Sequence, residues 1–283
     1  VDVGGIAGTF LTLTAQLSVG GVAAMLLVPM AGIGIGFYRT TTPVFLGLMI
    51  VAVWMRIWLL SHALSKDLPR PDVFAWAPLS AVSAWMAFTL LVLAFWISLW
   101  GTKPRVSRRL LWAGSVSGLI GLAMDALPLG RFEPGLMAVA LLANSWLSSG
   151  LLGLTFTGML LGHWYLNEPG LPTRHVWRMA HWFLVAVILQ GLFPAAYSLM
   201  AWVTGDRLLA AEVARVIPNY PVLFGARIGI GIGVTLVVAV VIRNTLKIPN
   251  VQSATGFFYI AILTVLLGEV LGRALRLFTG LPF

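Results

Sequence analysis

The sequence predicts an all-α integral membrane protein, a single polytopic domain over residues 1–283 with about eight transmembrane helices. Composition is the first of three observations behind that expectation. Hydrophobic residues make up 59% of the chain and charged residues only 10%, with a mean hydropathy of +0.96. A soluble domain needs about 25% charged residues to cover its surface. The second observation is length: the apolar residues fall in runs of about 20 or more, enough to cross a hydrocarbon core about 30 Å thick. The third is punctuation, because Pro, Gly and charge collect between the runs. The alternating segments of a membrane β-barrel, about ten residues each, are not found.

Taken in order, the apolar runs place spans at 9–37, 43–65, 75–101, 110–128, 135–166, 176–203, 222–246 and 257–279. The first closes on a GIGIG run and stops at Arg39, and the second opens after Pro43 and stops before Lys66 and Asp67. The third runs to Gly101. The fourth follows the basic loop KPRVSRR, and the fifth starts after Pro134 and ends at His163 and Trp164. The sixth begins after a Pro-rich turn at 169–172. The seventh opens with GARIGIGIGV, in which Gly225, Gly229 and Gly233 recur every four residues and predict one close-packing face. The eighth carries GEVLGRAL. Between spans six and seven, residues 205–216 (GDRLLAAEVARV) predict a short amphipathic helix at the interface. No connection is long enough for a second domain, and no separate cleavable signal peptide is expected in the sequence given.

Loop charge sets the expected orientation. The connections after spans one, three, five and seven carry Arg39, Lys103, Arg105, Arg108, Arg109, Arg174, Arg178, Arg243 and Lys247, with Glu168 as their one acid. Lys and Arg favour the cytoplasmic face, so both chain ends are expected on the non-cytoplasmic side of a bacterial-type inner membrane. The net charge of +9 then belongs to these loops, not to a nucleic-acid surface. The 12 tryptophans, several near helix ends, fit an interfacial aromatic belt. With no cysteine, the chain offers no disulfide, thiolate-held cluster or thiol nucleophile.

Ionisable side chains inside spans cost about 2.5–3.5 kcal/mol each on insertion scales, so each is a candidate for function. Arg56, His62, Asp125, Arg227, Glu269 and Arg273 fall toward the outer side and are expected to form one polar pocket there. Glu269 and Arg273, four residues apart, share a helix face. That pocket suits a quinol head group, an anion or a proton, and an ion-pair network that only fixes packing is the alternative. A second candidate site lies at the fifth connection, where His163, Tyr165 and His181 fall at similar depth among Asn167, Glu168, Arg174, His175 and Arg178. This is an interfacial belt with Trp164 and Trp182, a quinone or lipid head-group site, or an axial pair for haem. Four histidines do not supply the two layers of a two-haem cytochrome, and no haem and no metal site are expected. There is no HExxH, GxSxG or Walker lysine, and no hydrophilic domain for a nucleotide.

The segment 11–20, LTLTAQLSVG, with Thr12, Gln16 and Gly20, is similar to the opening helix of the dimethyl sulfoxide reductase membrane anchor. GEVLGRAL, with Glu269, Gly272 and Arg273, is similar to that family's closing helix. The chain thus resembles the membrane-anchor subunits of the dimethyl sulfoxide reductase and polysulfide reductase families. The resemblance covers under a tenth of the chain. It implies eight spans, outward ends, no cofactor of its own and a quinol site facing an iron–sulfur subunit. The expected function is a quinone-reactive or anchoring membrane subunit of a respiratory electron-transfer complex. Its partners would be other membrane subunits, lipids and a subunit bearing iron–sulfur or haem centres. A transporter and a purely structural membrane subunit are the alternatives.

Overall fold

Inside a membrane every backbone N–H and C=O must find its partner within the protein, and a chain this apolar satisfies that requirement with helices. A computed structural model describes residues 3–65, 76–101, 104–126, 134–168, 170–205, 207–248 and 250–283; among these there is no strand. The helices are α1 (Val3–Met25), α2 (Met30–Ile33), α3 (Ile35–Ser65), α4 (Trp76–Ser98), α5 (Pro104–Ala126) and α6 (Pro134–Asn167). They continue with α7 (Arg174–Val203), α8 (Arg207–Asn219), α9 (Pro221–Ala226), a π-helical segment (Arg227–Val234), α10 (Thr235–Thr245) and α11 (Val251–Thr279).

Among the described residues seven stretches are long and apolar enough to cross a membrane, Ala7–Met25, Ile35–Ser61, Ser80–Ser98, Met137–Asn167, Arg174–Val203, Pro221–Thr245 and Val251–Thr279; the expected span at 110–128 falls on α5, which is not among them. The chain is therefore an all-α, multi-pass membrane protein. Its outside is apolar, with Leu90, Trp54, Leu263 and Val237 all exposed, while Gln16, Asn144, Gln190, Arg227 and Glu269 are buried. That is the inverse of a water-soluble bundle.

Side-chain bonds fix the directions. Ser18 donates to the Phe45 carbonyl (2.7 Å) and Tyr38 to the Val28 carbonyl (2.5 Å), so α1 and α3 run antiparallel. Trp96 donates to the Arg39 carbonyl (3.0 Å) and Arg39 to the Leu99 carbonyl (2.8 Å), which sets α3 against α4. Ser98 meets Ser107 at 2.8 Å and Ser117 donates to the Ala84 carbonyl at 3.2 Å, so α5 runs back along α4. Gln16 bonds Ser145 (3.0 Å), Ser149 donates to the Gln16 carbonyl (2.9 Å) and Thr157 to the Gly21 carbonyl (3.2 Å). Residue numbers rise together along that seam, and α1 and α6 are parallel.

The helices form two successive rings. The first holds α1, α3, α4 and α5; the second holds α6, α7, the bent α9–π–α10 rod and α11. They join where α1 lies on α6, at Gly20 and Gly153. A Cβ at either position would run into the facing backbone, so only glycine lets the two rods come this close.

Helices α5 and α11 begin earlier than the sequence expectation, at Pro104 and Val251, and three further differences have a physical reason. The first span ends at Met25, because α2 is a separate turn and Gly34 takes φ 88°, a left-handed conformation that ordinary residues avoid. The stretch 39–42, expected to be a connection, lies inside α3. Its hydroxyls bond back into the helix, Thr40 to the Phe37 carbonyl (3.0 Å) and Thr42 to the Tyr38 carbonyl (2.6 Å). Pro43 has no N–H to give the Arg39 carbonyl, and the Trp96 indole takes that acceptor instead. In the seventh span, π-helical i→i+5 bonding shifts the phase of the glycines. Gly225 and Gly229 have open space, and Gly231 is the one that packs, with its Cβ position 2.6 Å from the Gly268 Cα. The amphipathic helix between spans six and seven is present as α8, with Leu209 and Val216 buried in a small apolar cluster.

Candidate functional site

The largest assembly of buried polar side chains lies in the second ring, in the half away from the basic loops. Glu269 on α11 is 2% exposed and uses both carboxylate oxygens. Arg227 of the π segment donates to Oε1 at 3.3 Å, and Arg273 of α11 donates to Oε2 at 3.0 Å and to the Glu269 carbonyl at 2.8 Å. The Arg227 side chain is 1% exposed and lies in a trough walled by Gly231, Gly268 and Gly272. A methyl group at Gly272 would sit 3.1 Å from the Arg227 Nε, so these glycines make room for the guanidinium as well as for the helix crossing.

The network then crosses between the rings. Arg273 also donates to the Gln16 amide oxygen on α1, and the Gln16 amide nitrogen donates to Ser145 on α6 at 3.0 Å. Ser148 lies near the Glu269 carboxylate and accepts from the Gln190 amide at 3.5 Å. Beside it, Gln190 of α7 donates to Asn144 at 3.1 Å. Arg276 lies one turn beyond Arg273. Two guanidinium groups thus hold a single carboxylate, with Arg276 next to Arg273, and Arg227 Nε, Arg273 Nε, Arg276 Nη2 and the Gln190 Oε1 are buried without a hydrogen-bond partner. Chemically, the group offers one proton acceptor and a surplus of N–H donors. It is suited to an anion or to oxygen atoms of a polar head group.

The first ring carries a smaller group. Arg56 of α3 forms an ion pair with Asp125 at the end of α5, with side chains 18% and 11% exposed. The Arg56 guanidinium lies over the fully buried Trp85 ring of α4, 5.2 Å from its centroid. His62 is in the last turns of α3, and its side chain lies outside the described residues. Of the six residues expected in one pocket, the structure brings Arg227, Glu269 and Arg273 together in the second ring and pairs Arg56 with Asp125 in the first. Among the described residues no hydrogen bond or ion pair joins the two groups. The sequence gives depth along a helix but not which neighbour a helix faces, so residues at similar depth looked like one cluster.

At the basic end, His163 is exposed and His181 is half-buried. The His181 ring stacks on Trp177 (5.9 Å, 4° between planes) and meets Trp182 edge-on at 6.0 Å. Arg243 caps the other side of this stack, 5.3 Å from the Trp177 ring. Tyr165 is buried and donates to the Pro172 carbonyl at 2.6 Å, closing the turn between α6 and α7. The three residues expected to act together therefore have separate surroundings.

The buried histidine at this end is His175, 4% exposed, accepting from Arg174 Nε at 3.3 Å. Its ring occupies the space over Gly32, as Trp164 fills the space over Gly36. The GIGIG run was the available signal, since small residues beside a helix break leave holes for rings supplied by another helix. Among the described residues no three His, Cys, Asp or Glu side chains gather as a metal-ligand set. Clefts open at the surface: one of about 250 Å³ lies between the turn at 26–29, α2, α3 and α5, and one of about 350 Å³ lies between α8 and the end of α11. In comparisons with known proteins, no family model, no curated protein and no solved structure matches this chain.

Proposed function

We propose that the chain is a quinone-reactive membrane subunit of a respiratory electron-transfer complex in a bacterial-type inner membrane. The observation that carries this reading is the Glu269 network, a buried carboxylate with two guanidinium partners and further unpartnered N–H donors. Packing alone needs one acid and one base, the ratio of Arg56 and Asp125 in the first ring, where Arg56 Nε is also without a partner; the Glu269 network differs in its surplus of cations over acids. In the proposed reaction a quinol enters from the outer half. Its ring oxygens accept hydrogen bonds from Arg273 and Arg276, and Glu269 takes a proton. Two electrons pass to an iron–sulfur or haem centre on a partner chain, while one of the two quinol protons goes to Glu269 and the other to water at the outer surface, where Glu269 releases its own before the next turnover. Arg56 is held by Asp125, so its part is to shape the neighbouring surface and not to share that head group.

The topology that goes with this reading has eight crossings and both ends outside. Its support is the parallel run of α1 and α6. With α3 and α4 both apolar enough to cross, α1 and α6 point the same way when α5 crosses as well, and the reading assigns the eighth crossing to this less apolar helix. A reporter fused after Arg109 is expected to be active only in its cytoplasmic form, and one after Phe283 only in its periplasmic form.

The functional test is purification in mild detergent with the co-purifying chains identified, followed by quinol oxidation by that complex. Glu269→Gln keeps the shape and removes the proton acceptor, and is expected to lower turnover by about 10²–10⁴-fold, the usual contribution of a positioned acid or base. An assembled complex with full quinol turnover in Glu269→Gln overturns the reading. A transporter is the second reading, favoured by one observation: two successive four-helix rings placed side by side, as in transporters built from parallel repeats. Uptake of a labelled anion by proteoliposomes containing the chain alone, lost in Arg273→Ala, would select it.

A further inference from the structure

We propose that the cleft at the basic end binds an anionic phospholipid, with one acyl chain in the trough between the 26–29 turn, α2 and α5 and the phosphate diester between Arg108 and Arg178. This inference stands apart from the quinol reading and uses none of its residues.

The trough exists because the first span ends early. After Met25 the chain makes a tight turn and α2 steps sideways, leaving a gap lined by Leu26, Val28, Pro29, Met30 and Leu111. Its floor is closed by Tyr38, whose hydroxyl is spent on the Val28 carbonyl. The walls therefore offer a ligand almost no hydrogen-bonding groups. The volume of about 250 Å³ is below the range of about 300–1,000 Å³ typical of small-molecule sites. It accepts part of a flexible chain better than a whole ring system.

The mouth is the opposite of the walls. Arg108 lines it and is exposed, and Arg178 lies within electrostatic reach of the same Tyr38. Arg39, Arg109, Arg174, Arg243 and Lys247 are at this end too, against Glu168 as the acid of these connections. Among the described residues none of these cations forms an ion pair, all four ion pairs being elsewhere. An apolar slot opening beneath unpaired arginines at the membrane surface matches a lipid with one negative phosphate and attached chains. Basic pockets between helices on the cytoplasmic side hold acidic head groups by this combination.

The test uses the full chain, stripped of lipid in mild detergent and titrated with dioleoyl phosphatidylglycerol or dioleoyl phosphatidylcholine, with bound lipid counted by native mass spectrometry. The wild type is expected to hold phosphatidylglycerol at least ten-fold more tightly than phosphatidylcholine. Arg108→Ala with Arg178→Ala is expected to weaken phosphatidylglycerol binding about 30-fold, roughly five-fold for each guanidinium. Arg108→Lys with Arg178→Lys should retain most of the preference. Ala31→Phe, at an exposed position on the rim, should fill the slot and lower binding of both lipids without moving the unfolding midpoint. If the alanine pair does not fold, the lysine pair and Ala31→Phe carry the test. Equal affinity for the two lipids, unchanged binding in Ala31→Phe, or displacement of phosphatidylglycerol by millimolar inorganic phosphate would overturn the proposal.

Discussion

The two rings each bury an acid on their last helix, Asp125 on α5 and Glu269 on α11, yet they treat it differently. Asp125 has a single guanidinium partner and sits at the helix end, where both side chains keep some exposure. The Arg56 charge is further spread over the face of Trp85, a contact worth about 0.5–2 kcal/mol. Glu269 lies well inside α11, is sealed from the surface and bridges two guanidinium groups, one of which reaches across to the other ring through Gln16. The first arrangement neutralises a pair of charges near the membrane surface. The second concentrates positive charge where it is expensive to keep, and surrounds it with Asn144, Ser145, Ser148 and Gln190. Both groups leave a buried guanidinium N–H unpartnered, Arg56 Nε in the first and Arg227 Nε and Arg273 Nε in the second, so the contrast lies in burial and in the surplus of cations over acids around Glu269.

The largest expected effect comes from breaking the sealed group. Glu269→Ala leaves Arg227 and Arg273 facing each other without their shared acid, and removing one partner of a buried pair costs about 3–5 kcal/mol. The unfolding midpoint of the purified chain in detergent should fall accordingly, and the yield of folded protein with it. An unchanged midpoint would mean that Glu269 is not ionised in the folded protein.

Asp125→Ala tests the other side of the comparison. Arg56 keeps its place over Trp85 and its partial exposure lets water reach the guanidinium, so the loss should lie between that of surface and buried pairs, about 1–3 kcal/mol. The same thermal measurement ranks the two variants. A loss equal to that of Glu269→Ala would remove the distinction between the rings.

Much of this architecture was legible in the sequence because the membrane imposes it. Apolar run length marked the crossing helices, and the alternation of apolar and charged residues marked α8. The i, i+4 spacing of Glu269 and Arg273 gave their contact, since that pair depends on one helix alone. What could not be read depended on neighbours. Arg39 and three threonines looked like a loop because nothing local announces that Trp96 and Leu99 will receive them. The π segment hid the packing glycine, because the four-residue rhythm of Gly225, Gly229 and Gly233 presumes an unbroken α-helix. His175 is distinguished from His163 only by Gly32, which lies on another helix far away in sequence. The split of the five described outer residues into two groups follows from ring membership, which is set by the order of helix packing and not by hydropathy.

The smallest expected effect is the most discriminating. If the rings hold their ion groups independently, Asp125→Ala and Glu269→Ala should add, because sites without shared partners combine within about 0.3–0.5 kcal/mol. The link that could couple them is the seam of α1 and α6, where Gln16 bonds Arg273 while Gly20 presses on the Ser149 backbone. Arg56 and Asp125 have no hydrogen bond to that seam among the described residues. A double-mutant cycle on the unfolding free energy of the detergent-solubilised chain should therefore give a coupling near zero for Asp125 and Glu269. The control cycle, Gln16→Ala with Glu269→Ala, should give a clear coupling, because both residues act on Arg273 and its loss of one changes what the other is worth. Coupling between Asp125 and Glu269 as large as in that control would make the two groups one network through α1, and would return Arg56 and Asp125 to the site built around Glu269.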